Sequence, residues 1–281
     1  MNHPVSKKEI SIYGSTVRYW IYKSKTKNAP IIFALHGFRG THHGLEDIVA
    51  ALPEATFIIP DLPGFNESTP MTRRKHNIAG YSAFALAFIN KVVPKNSILL
   101  GHSFGSIVAS NIAKEKPKNI QKLILINPIA KPQSTINKAL GQTYYQLGTL
   151  LPESASRVYF ANKPSVFAIS VYLAKTKDKT LRKQIHSKHL THFSSYANKQ
   201  VMKESFKASV STSVSDSAQE IALPTLLIAG AKDGIAKLKD QKELKEEIKN
   251  AKLVVEPSTG HLVHYEAPEF AAKAIKNFIK T

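Results

Sequence analysis

The chain has 281 residues, 43% of them hydrophobic, enough to bury a sizeable core as one large α/β domain with an insertion or as two small domains. A formal charge of +19, from 39 Lys and Arg against 20 Asp and Glu, attracts anions at long range, but the lysines are scattered and no compact basic run interleaved with aromatics supports specific nucleic-acid binding. The absence of cysteine excludes disulfides and thiolate chemistry, no apolar run approaches the roughly 18 residues of a membrane span, and MNHPVSKKEI lacks the apolar core of a signal peptide, so the expected location is the cytoplasm.

Residues 9–13 and 17–22 alternate about a Gly14-Ser15 turn, the pattern of a β-hairpin. From residue 30 onward the pattern changes. Short β-branched and leucine runs at 31–35, 56–59, 97–100, 122–126, 225–229 and 253–255 suit strands buried on both faces of a parallel sheet. Between them, 45–52, 78–92, 106–114, 237–248 and 268–279 read as helices, and the alternation predicts a doubly wound, mostly parallel α/β sheet. It breaks once. Residues 131–220 hold no comparable strand run and read as helical stretches, with apolar faces at 144–151 and 166–174. The expected organisation is therefore a core of 1–130 and 221–281 with an insertion at 131–220.

Four elements that can carry chemistry fall at the ends of expected strands. His36-Gly37-Phe38-Arg39-Gly40 follows the first buried run; such a loop can turn the Phe38 N–H towards a neighbouring site, although an ordinary β-to-α turn would use the same glycines. Gly101-His102-Ser103-Phe104-Gly105 matches G-x-S-x-G in its required strand–turn–helix setting, which lifts a serine hydroxyl above the sheet edge on a sharp turn. Asp233 ends a later strand, where it can accept from an imidazole N–H or simply close a turn before Gly234. His261, in the glycine-led loop 260–268 after the last strand, is free to reach the top of the sheet. Together these predict Ser103 as nucleophile, His261 as general base, Asp233 as the acid orienting it, and the N–H groups of Phe38 and Phe104 as an oxyanion hole. His42-His43 is an adjacent pair, which more often points to different faces than to one ion; a solvated loop is expected there, with no metal and no organic cofactor.

The order of oxyanion loop, Ser, Asp and His resembles the α/β-hydrolase superfamily, in its capped lipase, esterase and C–C hydrolase branch. Asp61-Leu62-Pro63-Gly64 with Ser68 resembles that family's structural turn, which implies an architectural Asp61. The resemblance implies that 131–220 is a helical cap and that an acyl bond of a small molecule, an ester first, is cleaved through an acyl-enzyme on Ser103. Serine at 103, where epoxide- and halide-processing relatives carry aspartate, argues against those activities. C–C bond hydrolysis and acyl transfer use the same residues and stay open, as does a catalytically silent ligand-binding protein on this fold. The insertion carries 13 Lys and Arg against 5 Asp and Glu. With Arg39 beside Phe38, and His102 beside Ser103, as candidate substrate contacts, one expectation is an electropositive entrance that favours an anionic substrate; the other is a solvated outer face.

Overall fold

The computed structural model describes residues 3–132 and 135–280. Met1, Asn2 and Thr281, at the ends of the expected core, and Gln133 and Ser134, inside the expected insertion, lie outside the described residues. Among the described residues, eight strands form one sheet in the order β1-β2-β4-β3-β5-β6-β7-β8. They are β1 (Val5–Ile12), β2 (Ser15–Tyr22), β3 (Ile31–Leu35), β4 (Thr56–Pro60), β5 (Ser97–His102), β6 (Ile120–Ile126), β7 (Thr225–Gly230) and β8 (Ala251–Glu256). β1 and β2 pair antiparallel, β2 joins β4 antiparallel, and every pairing from β4 to β8 is parallel. The opening hairpin turns on Tyr13 and Gly14, one residue earlier than the alternation suggests, and both take positive φ (49° and 78°), as a twist-matched two-residue turn requires. β1 also starts at Val5 and not at Glu9, because its exposed lysines pair across an edge strand that needs no apolar alternation.

Side chains of the central strands alternate between two cores. Phe33, Leu35, Leu99, Leu123, Leu125 and Leu227 pack on one face against α2 (Ile78–Val92) and α3 (Phe104–Lys114). Ile32, Ala34, Ile98, Leu100, Ile124 and Ile228 pack on the other against α1 (Glu46–Ala51) and the last helix (Pro268–Lys280). Burial on both faces is why these strands read as continuous apolar runs.

Among the described residues, five α-helices lie between β6 and β7, α4 (Thr135–Leu150), α5 (Glu153–Ala161), α6 (Lys163–Leu173), α7 (Lys179–His192) and α8 (Lys199–Ser211), followed by a 3-10 turn (Ser215–Glu220). After β7 the chain forms α9 (Leu238–Glu247), then β8, the short α10 (Val263–Glu266) and α11 (Pro268–Lys280). No helix among the described residues is long and apolar enough to cross a membrane.

The connection from β5 to α3 tolerates no side chain at its second glycine. A Cβ on Gly105 would stand 2.3 Å from the Leu35 carbonyl oxygen and 2.7 Å from that of His36, so β3 and α3 pass as bare backbones. Gly105→Ala should therefore cost about 3 kcal/mol or more by forcing strand and helix apart. Denaturant unfolding checks this, and a wild-type midpoint would show that the crossing relaxes freely.

Candidate active site

Ser103 occupies the turn between β5 and α3 with φ 52° and ψ −117°, a conformation that L-residues rarely adopt. Its N–H is fixed by the Ile126 carbonyl at 3.1 Å, and its own carbonyl accepts from Ser106 N at 2.8 Å and from the Ser106 hydroxyl. Strand on one side and helix on the other thus hold the backbone, while the hydroxyl projects above the carboxyl edge of the sheet.

The loops after β7 and β8 reach the same edge. His261 Nε2 is 2.8 Å from Ser103 Oγ, and its Nδ1 is 2.8 Å from Asp233 Oδ2. A carboxylate only accepts, so Nδ1 carries the imidazole proton and Nε2 is left to accept from the serine. Asp233 is buried, which raises its pKa, but the His261 ring and the N–H groups of Ala236 and Ile235 outweigh burial and hold it below the usual carboxylate value. Both amides bond Oδ1 at 2.8 Å.

Asn127, at the end of β6, was not singled out in the sequence, yet it joins these loops. Its Nδ2 donates to Asp233 Oδ2 and to the Gly260 carbonyl, each at 3.0 Å, and its Oδ1 accepts from Val263 N at 3.3 Å. The available signal was a polar residue closing the apolar run beside the strand that leads into Ser103. Asp61 and Asp216 are engaged elsewhere: Asp61 accepts from His42 and Asn66, and Asp216 from Ser213.

The loop after β3 packs onto Ser103, and a Cβ on Gly37 would stand 3.3 Å from Ser103 Cβ. His36 anchors it, donating from Nδ1 to the Gly37 carbonyl at 2.8 Å and accepting the Leu62 N–H on Nε2 at 2.9 Å. The turn closes from Gly40 N to the Gly37 carbonyl (3.0 Å) and leaves the Phe38 N–H out of the backbone bonds of the described residues. Phe104 opens α3, so its N–H belongs to the first-turn amides that lack an intrahelical partner.

Two cavities, of about 520 and 480 Å³, meet at Ser103, His261, Phe38 and Tyr145. α4, α6 and α7 roof the larger one through Tyr144, Ile169, Tyr172 and His189. His102 lines it too, with its Nε2 donating to the His261 carbonyl at 3.3 Å.

Arg39 does not meet the expectation of a guanidinium at the pocket mouth. Its φ of 59° turns the side chain under the inserted helices, where it is 1% exposed. There it donates to the Phe160 carbonyl (2.7 Å), Ser194 Oγ (3.0 Å), the Phe193 carbonyl (3.3 Å) and Tyr145 OH (3.4 Å), over the Phe193 ring at 4.8 Å. Arg39 lines neither cavity; the Lys or Arg that does so among the described residues, Lys188, is paired with Asp47 at 2.6 Å. Nor do His42 and His43 form a solvated loop: His42 is buried against the Trp20 ring at 3.4 Å and bonded to Asp61.

A family model described as alpha/beta hydrolase fold matches residues 30–268. Lipase 3 of Moraxella sp. is 26% identical over 256 residues, which cover 88% of this chain and 76% of that protein. Lipase 1 of Psychrobacter immobilis is 25% identical over 256 residues, with the same shares covered. Among solved structures, a thermophilic esterase from Thermogutta terrifontis superposes with a TM-score of 0.78 over 98% of both chains at 19% identity, a likeness of fold.

Two measurements test this geometry. Burial lowers the His102 pKa from its ordinary 6.5 to about 3 and that of His189 to about 4. The unfolded chain binds these protons first, so the stability they lend is complete above about pH 6.5 and is lost as pH falls below it, at up to about 1.4 kcal/mol per pH unit for each histidine. The urea midpoint should drop between pH 7 and 5, and His102→Gln should flatten the drop; a midpoint independent of pH over that range would contradict the burial. Arg39→Met should cost about 1–3 kcal/mol by stranding buried acceptors and should open residues 135–200 to limited proteolysis. Unchanged stability and cleavage would show that the guanidinium ties nothing down.

Proposed function

The chain belongs to the α/β-hydrolase fold family of enzymes, and on that premise we propose that it is a serine carboxylesterase whose acyl-enzyme forms on Ser103. The observation that carries this reading is the chain of two 2.8 Å hydrogen bonds from Asp233 through His261 to Ser103, opening into the paired cavities. In the proposed sequence, Ser103 Oγ attacks the ester carbonyl while His261 Nε2 takes its proton. Asp233 fixes the imidazole tautomer and stabilises the imidazolium. The oxyanion leans on the N–H groups of Phe38 and Phe104, each worth about 3–4 kcal/mol by the usual effect of deleting such a donor. His261 then protonates the departing alcohol, and water activated by the same nitrogen releases the acid.

The paired cavities fit a substrate with an apolar group on each side of the ester, one arm for the acyl chain and one for the alcohol. Aromatic and aliphatic side chains such as Phe104, Ile129, Ile169 and Phe206 line them. With Arg39 and Lys188 both engaged, the reading favours a neutral ester over an anionic one. Residues 131–220 act, on this proposal, as the cap that limits bulk solvent around the substrate while admitting the hydrolytic water, and that sets chain-length preference.

Steady-state kinetics on short p-nitrophenyl esters tests the assignment. Ser103→Ala should lower kcat by about 10⁶-fold and Asp233→Asn by about 10⁴-fold, both without loss of fold by circular dichroism. Turnover near wild type in Ser103→Ala would end the proposal. For matched neutral and succinyl esters, kcat/KM should favour the neutral one; a preference for the anion that shrinks with added salt would restore the electropositive entrance.

A further inference from the structure

The 3-10 turn His42–Leu45 and the head of α1 gather nitrogen and oxygen donors that ester hydrolysis at Ser103 does not use. We propose that His42, His43 and Glu46 bind a divalent transition-metal ion of zinc's class, with His192 of α7 closing the site from the inserted helices. One donor atom of each of the first three lies within 4.8 Å of the others.

The backbone accounts for the grouping. His42 and His43 are consecutive on a tight turn, and Glu46 follows His43 by three residues, so the two project from the same face. His43 Nδ1 is 3.1 Å from Glu46 Oε2, and an ion would take the place of the proton that joins them. His42 Nδ1 donates to the buried Asp61 at 3.0 Å, which leaves Nε2 as its free lone pair. A carboxylate behind an imidazole is the arrangement that orients histidine on a metal. Glu46 is oriented in turn, its Oε1 accepting from Tyr22 OH at 2.9 Å. Stacking of His42 on Trp20 at 3.4 Å fixes the ring plane before any ion arrives. On α7, the His192 ring lies 4.1 Å from that of His43 and is tilted 31° to it, so a rotation about its side-chain bonds would turn a nitrogen towards the ion.

Imidazoles with one carboxylate suit Zn²⁺ and its neighbours, whereas Ca²⁺ and Mg²⁺ prefer oxygen alone. Bonds of about 2.0–2.2 Å require donors to close to roughly 3.4 Å. The movement falls on His43 and Glu46, whose side chains are 33% and 20% exposed and so also give the ion access. Gly44, Leu45 and His192 line the larger cavity, so an ion held here pins a pocket wall to α7 beside the substrate.

Calorimetric titration of untagged, chelator-stripped protein with Zn²⁺ tests the site, with thermal unfolding as a second readout. The expected result is one ion per chain and a higher Tm, with affinity at least about tenfold weaker in each of His43→Ala, Glu46→Gln and His192→Ala. The first two side chains are partly exposed, so these variants should fold. No saturable uptake by about 1 mM Zn²⁺, or equal affinity in wild type, His43→Ala and Glu46→Gln, would overturn the proposal. Wild-type affinity in His192→Ala alone would overturn the tie to the inserted helices. Because the readouts are binding and stability, the outcome is independent of whether Ser103 turns over esters.

Discussion

Ser103 holds a backbone conformation with φ 52° and ψ −117°, and the arrangement of the sheet around it keeps it there. Such a residue costs about 1–3 kcal/mol and persists only where its neighbours leave no alternative. Here β5 is central in the sheet, its end bonded to β6, and α3 crosses β3 at a contact that admits no Cβ. Because the strands from β4 to β8 are parallel, the loops after β3, β5, β6, β7 and β8 all emerge at one edge. That constraint brings Phe38, Ser103, Asn127, Asp233 and His261 together from positions spread over more than 200 residues of chain.

Polar side chains then do locally what the sheet cannot. Asn127 bonds the loops after β7 and β8 to each other, which fixes the distance between Asp233 and His261. His36 ties the loop after β3 to the segment after β4, and Asp61 of that segment accepts both from His42 of the loop and from Asn66 of its own segment. Arg39 extends the same scaffold upward. A guanidinium bonded to two backbone carbonyls and two hydroxyls joins the loop that carries Phe38 to three separate parts of the insertion. The position of the roof and the position of the proposed oxyanion donor are therefore mechanically linked. One residue separates them.

The core was legible because burial on both faces writes itself as apolar runs; residues 31–35 and 78–92 coincide with β3 and α2 as found. The motifs were legible for a related reason, since the glycines of 101–105 and the strand before them are demanded by one turn. The insertion was legible as a helical interruption of the sheet, but its individual helices were not. Its helices carry apolar residues on their outer side, with Leu150 80% and Val158 71% exposed, so no single buried face marks a 3.6-residue period, and only parts of α4 and α6 were foreseen among five helices. Side-chain direction was also out of reach: nothing local announces that Arg39 takes positive φ and turns away from the cavity, or that His42 is buried by a tryptophan 22 residues earlier. Both follow from tertiary packing.

The central claim is that an ester's acyl group passes through a covalent bond to Ser103. Acid-quenching the enzyme during turnover of a slowly deacylating ester, followed by intact and peptide mass spectrometry, measures this directly. The account predicts a mass increase equal to the acyl group, one per chain, confined to the peptide that contains residues 101–105 and absent from Ser103→Ala. Full hydrolytic turnover with no adduct under any quench time, or an adduct on another residue, would contradict it.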